Sequence, residues 1–211
     1  MQPTRQIWDI SAPLNTATVA YPGDTPYQQQ WTARIGPQCP VNVSAMTLSP
    51  HIGTHADAPL HYDPQGLSIG DVDLTPFLGT CRVIHAIGCG PRVGWVDISH
   101  ALSAPLPARI LVRTYQRVPE HWDACFSGLA PAALDKLADL GVQLIGIDTP
   151  SIDPASSKGL DSHMVVRQRQ MRVLESLRLD DVQEGDYELI ALPLKLTQAD
   201  ASPVRAILRA L

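Results

Sequence analysis

With 211 residues, 45% of them hydrophobic and 18% charged, the chain has enough apolar material to bury one substantial core and lacks the charge excess of a disordered segment. A net charge of -5, a pI near 5.7 and the absence of any Lys/Arg run leave no basic field for a phosphate backbone, which argues against nucleic-acid binding. No stretch of about 18 apolar residues is available to span a bilayer, and nineteen prolines disfavour an all-helical bundle.

The segment up to Ser11 has no apolar signal core, and Cys39, Cys81, Cys89 and Cys125 form no Cys-x-x-Cys pair and are too few for a disulfide scaffold. A cytoplasmic protein with reduced thiols and no membrane partner is expected. Residues 7–10 read as a first strand around Asp9, and residues 11–26 as a long loop carrying Tyr21-Pro22-Gly23-Asp24. Residues 41–48 alternate in part and suit a strand feeding a His-rich run, and residues 81–87 and 109–113 are further strand candidates. A helix opens at Ala130-Pro131, where proline fits the first turn, and runs through Leu134, Leu137, Ala138 and Leu140 until Gly141 stops it. Residues 142–148 follow as a buried strand, a second helix is expected from about Ser162 over Met164 to Gln170, and residues 188–194 close the core as a strand. The tail ends in an apolar run over residues 203–208. Without repeats or linkers, residues 1–211 are expected to form a single α/β domain with a mixed sheet core and few helices.

His51, His55, Asp57 and His61 fall within eleven residues, a run that holds three of the seven histidines. Imidazoles and carboxylates are metal ligands and proton carriers, so this run points to the core of a metal-dependent hydrolase site. Spacings of four, two and four would place all of them on one face of an extended segment. On a helix turning about 100° per residue they would split, near 0° and 40° for the first two and near 240° and 280° for the last two. Pro50, Gly53 and Pro59 also oppose a helix, so an extended or looped strand end presenting one polar face to a cavity is expected.

More ligands are needed, and His163 is the only histidine in the last ninety residues. Glu175 interrupts the apolar run Val173-Leu174-Glu175-Ser176-Leu177, where a charge is costly unless paired. Taken alone, though, it reads more readily as a solvated residue on an exposed face. His163 and Glu175 can converge only if the chain turns between them. His85, His100 and His121 lack ligand-type neighbours and are set aside as structural, and Asp148 reads at least as well as a turn-forming residue as it does a pocket residue.

The run His51-Ile-Gly-Thr-His55-Ala-Asp57-Ala-Pro-Leu-His61 resembles the signature of the cyclase-like metal-dependent hydrolases. Trp8-Asp9-Ile10-Ser11, Tyr21-Pro22-Gly23-Asp24, the segment from Gly146 to Asp153, Leu160-Asp161-Ser162-His163 and Val173-Leu174-Glu175 extend the likeness over most of the chain. With the short overall length, they are most similar to the bacterial kynurenine formamidase (arylformamidase) branch of that family. The resemblance implies a swivelling β/α/β fold, a homodimer and two divalent metal ions, usually zinc, with manganese and cobalt also suited to the donor types. It implies one ion on His51, His55 and Asp57, a second held or shared by Asp57, His163 and Glu175, and His61 as proton donor and acceptor. Tyr21 falls at a substrate-contacting position that is commonly Trp in this family. The implied reaction is attack of a metal-activated water on the formyl carbonyl of an aryl formamide, N-formyl-L-kynurenine, releasing L-kynurenine and formate in tryptophan degradation. A cyclic-amide hydrolase of the isatin hydrolase kind and a non-catalytic metal-binding protein remain as alternative readings.

Overall fold

Short β-branched and Leu-rich runs, broken every few residues by Pro or Gly, favour many brief strands over long helices. The computed structural model describes residues 5–211, so the first four residues of the expected 1–211 unit lie outside the described residues. The strands are β1 (Ile7–Asp9), β2 (Gln28–Ala33), β3 (Val43–Thr47), β4 (His55–Asp57), β5 (Leu78–His85), β6 (Arg92–Val93), β7 (Arg109–Arg113), β8 (Gly128–Leu129), β9 (Leu144–Ile147), β10 (Arg172–Glu175), β11 (Gly185–Ile190), β12 (Ala201–Pro203) and β13 (Ile207–Arg209). Three α-helices occur among the described residues: α1 (Trp95–Ile98), α2 (Pro131–Asp139) and α3 (Asp161–Gln168).

Nine strands form one mixed sheet in the order β1-β13-β11-β5-β7-β9-β10-β4-β12, as the single α/β domain expectation requires. Its centre, β5 to β7 to β9 to β10, is parallel, and the outer pairings are antiparallel. Alternation along the strands builds a core on each face. Leu111, Leu144 and Leu174 join Ala56, Leu177 and Leu208 on one side, while Ile110, Val112, Ile145, Ile147 and Val173 join Leu134, Leu137 and Val166 of α2 and α3 on the other. Leu134 and Leu137 are fully buried, and each such side chain contributes about 1.5–3 kcal/mol. The α2 helix ends as expected, with Gly141 at φ +87°, a conformation that costs other residues dearly.

Several boundaries moved. The strand expected over residues 188–194 is β11, which starts at Gly185 and ends at Ile190, before Pro193, which has no N–H to donate to a ladder. The strand expected over residues 41–48 exists as β3, but it pairs with β2 in a separate hairpin rather than joining the main sheet. The β2 strand begins Gln28-Gln29-Gln30 and is almost wholly exposed, so no apolar alternation marks it.

Candidate metal centre and active site

The cluster is assembled by cross-strand register. On β4 the buried Ala56 enters one core, so His55 and Asp57 point to the opposite, helix-covered face. In the antiparallel partner β10, Leu174 enters that same core and Glu175 stands directly across from His55. His163 comes from the first turn of α3, so the chain does turn between His163 and Glu175, and His163 Nε2 lies 3.6 Å from Glu175 Oε1. Glu175 is 3% exposed, which overturns the expectation of a solvated face.

The single extended segment expected for His51 to His61 is only partly present. His55 and Asp57 lie on β4, but His51 sits in the preceding turn and His61 ends a 3₁₀ turn over Pro59–His61. Gly53 at φ +64° bends the chain before the strand and Pro59 starts the turn after it. All four side chains still converge: His51 Nδ1 lies 3.1 Å from Asp57 Oδ1, and the His51 and His61 rings are 4.2 Å apart.

Acceptors at the outer ring nitrogens favour protonation there. His55 Nδ1 donates to the Gly53 carbonyl at 2.8 Å, His163 Nδ1 to Asp153 Oδ2 at 2.8 Å, and His51 Nε2 to Asp200 Oδ2 at 3.0 Å. With neutral rings so oriented, the inner nitrogens would turn lone pairs toward carboxylate oxygens, and His163 Nε2 lies 3.3 Å from Asp57 Oδ2. His55 Nε2 is 3.2 Å from Glu175 Oε2 and 3.4 Å from Asp57 Oδ1, close enough for an ion pair yet not aligned as a hydrogen bond. Both His55 Nε2 and Asp57 Oδ1 are buried without a hydrogen-bond partner. Lone pairs facing each other at such distances repel unless a cation lies between them, so these residues fit a divalent metal ion. Ligand atoms lie within 4.8 Å of one another in two sets, His55 with Asp57 and Glu175, and His51 with Asp57 and His61.

The titration behaviour of these groups expresses the same field. Burial alone would lower the His55 pKa, but the Asp57 and Glu175 carboxylates override it and raise it to about 10. His163 is likewise driven well up against its burial by Asp153, Asp57 and Glu175. Burial works to raise Asp57, yet His163, His51 and His55 hold it well below the usual carboxylate range. A field that favours an imidazolium also favours a divalent cation, which would leave the imidazoles neutral.

Beside the cluster opens a cavity of about 600 Å³. Tyr21 lines it and packs edge-on against Trp122, with ring centroids 4.9 Å apart. His121, set aside from the sequence, lines this cavity rather than the core. Asp148 is not a local turn former: its carboxylate accepts from the Thr114 N–H and hydroxyl and from the Tyr115 N–H, anchoring the loop after β7. Burial is the main influence on it and raises its pKa to about 6. Sequence reasoning missed Asp153 and Asp200. Asp153 closes the segment from Gly146 to Asp153, and nothing local distinguishes a carboxylate that orients a ligand from a surface one.

A mixed sheet bearing a buried His/Asp/Glu cluster beside a cavity defines a metal-binding hydrolase architecture, and the chain belongs to the cyclase family, whose model, described as putative cyclase, matches residues 8–154. It is similar to the kynurenine formamidases of Paracidovorax citrulli, 67% identical over 99% of both chains, and of Delftia acidovorans, 68% identical over 99% of both. Among solved structures, a potential metal-dependent hydrolase with cyclase activity matches with a TM-score of 0.86 at 26% identity over 99% of each chain.

Proposed function

We propose that this chain is an arylformamidase that hydrolyses N-formyl-L-kynurenine to L-kynurenine and formate in tryptophan degradation. The observation that carries this is the full-length likeness, at 67% and 68% identity, to proteins named kynurenine formamidase. Two divalent ions, zinc foremost, would be held by His51, His55, Asp57, His163 and Glu175, with Asp57 shared. The orphaned His55 Nε2 and Asp57 Oδ1 support a metal between them. When bound, such an ion supplies a Lewis acid and a water acidified from about 16 toward about 7.

The chain's own groups do the rest. Asp153, Asp200 and the Gly53 carbonyl hold three imidazoles in the tautomers that direct their lone pairs inward. The Ile152 N–H donates to Glu175 Oε1 at 2.8 Å and fixes that carboxylate. His61, whose Nδ1 lies 3.5 Å from Asp200 Oδ2, keeps its other nitrogen for proton traffic. It takes the proton freed as water oxygen bonds to the formyl carbon and returns it to the aniline nitrogen as the C–N bond breaks. The Tyr21 and Trp122 pair offers an aromatic wall for the substrate ring.

The protein works as a cytoplasmic homodimer in this proposal. Trp31, Val43 and Met46 expose apolar surface on the β2–β3 hairpin, which suits a partner face, and free thiols at Cys39, Cys81, Cys89 and Cys125 suit a reducing compartment. The test is steady-state hydrolysis of N-formyl-L-kynurenine before chelation, after it, and after zinc or manganese is restored. Turnover that vanishes and returns with metal supports the assignment. A metal-loaded protein that leaves this substrate intact but opens isatin would replace it with a cyclic-amide hydrolase.

A further inference from the structure

The cavity beside the cluster is lined by one guanidinium-bearing side chain that the hydrolytic chemistry does not use, together with the acidic side chains Asp24, Glu120, Asp123 and Asp148. Arg178 lines it, and no other Arg or Lys does. Arg82, Arg92, Arg167, Arg169, Arg205 and Arg209 each lie within 4.0 Å of a carboxylate. Arg178 has no such partner among the described residues; the hydrogen bond it makes runs from its backbone N–H to the Ile10 carbonyl at 2.9 Å. The cavity's aspartates are engaged internally: Asp24 accepts from the Ser49 hydroxyl, Asp123 from the Tyr115 hydroxyl, and Asp148 from Thr114.

The base of Arg178 is fixed. Glu175 ends β10, Ser176 turns the chain at φ +54°, and Leu177 anchors in the core, with its N–H on the Ile147 carbonyl. The Thr54 hydroxyl grips the Ser176 carbonyl at 2.6 Å, and Asp180 Oδ1 takes the Val118 N–H at 2.6 Å, tying the cavity-lining loop to the same segment. Three residues of chain keep the Arg178 Cα within about 11 Å of that of Glu175. A cavity-lining arginine whose Cα is held within that range of the cluster suits a substrate that is uncharged where it reacts and anionic at its far end.

We propose that Arg178 is a specificity residue that receives the α-carboxylate at the amino-acid end of the substrate. This rests on the arylformamidase assignment above. The planar guanidinium pairs bidentately with a carboxylate, which orients the ring and the formyl group as well as attracting the anion. A lysine supplies only a point charge, so it restores part of the effect.

The experiment compares kcat/KM for N-formyl-L-kynurenine with that for formanilide, which has the same scissile bond and no carboxylate, in the wild type, Arg178→Met and Arg178→Lys. The ratio of the two should fall roughly 10- to 100-fold in Arg178→Met, mainly through KM, with partial recovery in Arg178→Lys. An unchanged ratio overturns the proposal. A second measurement needs only the wild type: L-kynurenine should inhibit formanilide hydrolysis at least about tenfold more strongly than its decarboxylated amine, and equal inhibition overturns the proposal even if the variants misfold. Failure of the arylformamidase assignment looks different, because the wild type would then hydrolyse neither formamide.

Discussion

Removing the carboxylate of Asp153 tests whether the metal centre depends on a residue outside the cluster itself. Asp153 is 1% exposed, accepts the Ser162 N–H at 3.0 Å through Oδ1, and accepts both the His163 N–H at 3.0 Å and His163 Nδ1 at 2.8 Å through Oδ2. It therefore caps the start of α3 and holds a candidate ligand at once. Loss of a helix cap costs about 0.5–2 kcal/mol. Loss of a partner orienting a metal-bound histidine lowers affinity about 10- to 100-fold, or about 1.4–2.7 kcal/mol. Asp153→Ala should therefore destabilise the metal-loaded protein by about 2–5 kcal/mol, a large share of the about 5–15 kcal/mol typical of a domain. Asp153→Asn should fall between, because one amide cannot accept from every donor that the carboxylate serves. Metal affinity is read by competition with a chromophoric chelator, and folding by urea titration with and without metal. A wild-type metal affinity in Asp153→Ala would refute the orienting role, whatever the urea curves show.

His61→Ala should lower kcat by about 10²- to 10⁴-fold while metal content stays at the wild-type value; loss of metal would instead make His61 a ligand, as its place near His51 and Asp57 permits. Gly146→Ala would set a Cβ 2.4 Å from Leu111 Cδ2 and 2.8 Å from Leu177 Cδ1, so thermal melts should show about 1–3 kcal/mol of destabilisation, and an unchanged Tm would contradict that tight packing. The hydrogen bond from Arg82 holds the Asp186 pKa below its ordinary value. Since the folded pKa is the depressed one, the pair's stabilisation is present above the ordinary aspartate range near 3.9 and is lost as pH falls through the lower folded value. Arg82→Met should therefore flatten the acid limb of a Tm-versus-pH curve below about pH 4, and a limb parallel to that of the wild type would count against the pair.

The central strands were legible because they are buried on both faces and therefore nearly all apolar: residues 109–113 are Arg-Ile-Leu-Val-Arg and form β7 at those bounds. Helix α2 announced itself through Pro131 and Gly141, whose backbone preferences are local. The β2–β3 hairpin did not, because its glutamines carry no burial pattern. In the candidate site, clustering in sequence exposed His51, His55, Asp57 and His61, whereas Glu175 entered only through the family resemblance, its local pattern suiting a surface carboxylate, and strand pairing sets it opposite His55. Asp153, Asp200 and Arg178 owe their positions to contacts between distant segments, such as the 149 residues separating His51 from Asp200, and no local pattern encodes those.

The pairing of β4 with β10 also constrains how the protein can misfold. If β4 slid by a single residue, His55 and Asp57 would turn toward Leu174 and Leu208, and Ala56 would face the cavity. That alternative would strand two polar groups in hydrocarbon and lose the apolar contacts of Ala56. The alignment competent for chemistry is thus also the one in which Ala56 keeps its apolar contacts and the buried polar groups face one another rather than hydrocarbon.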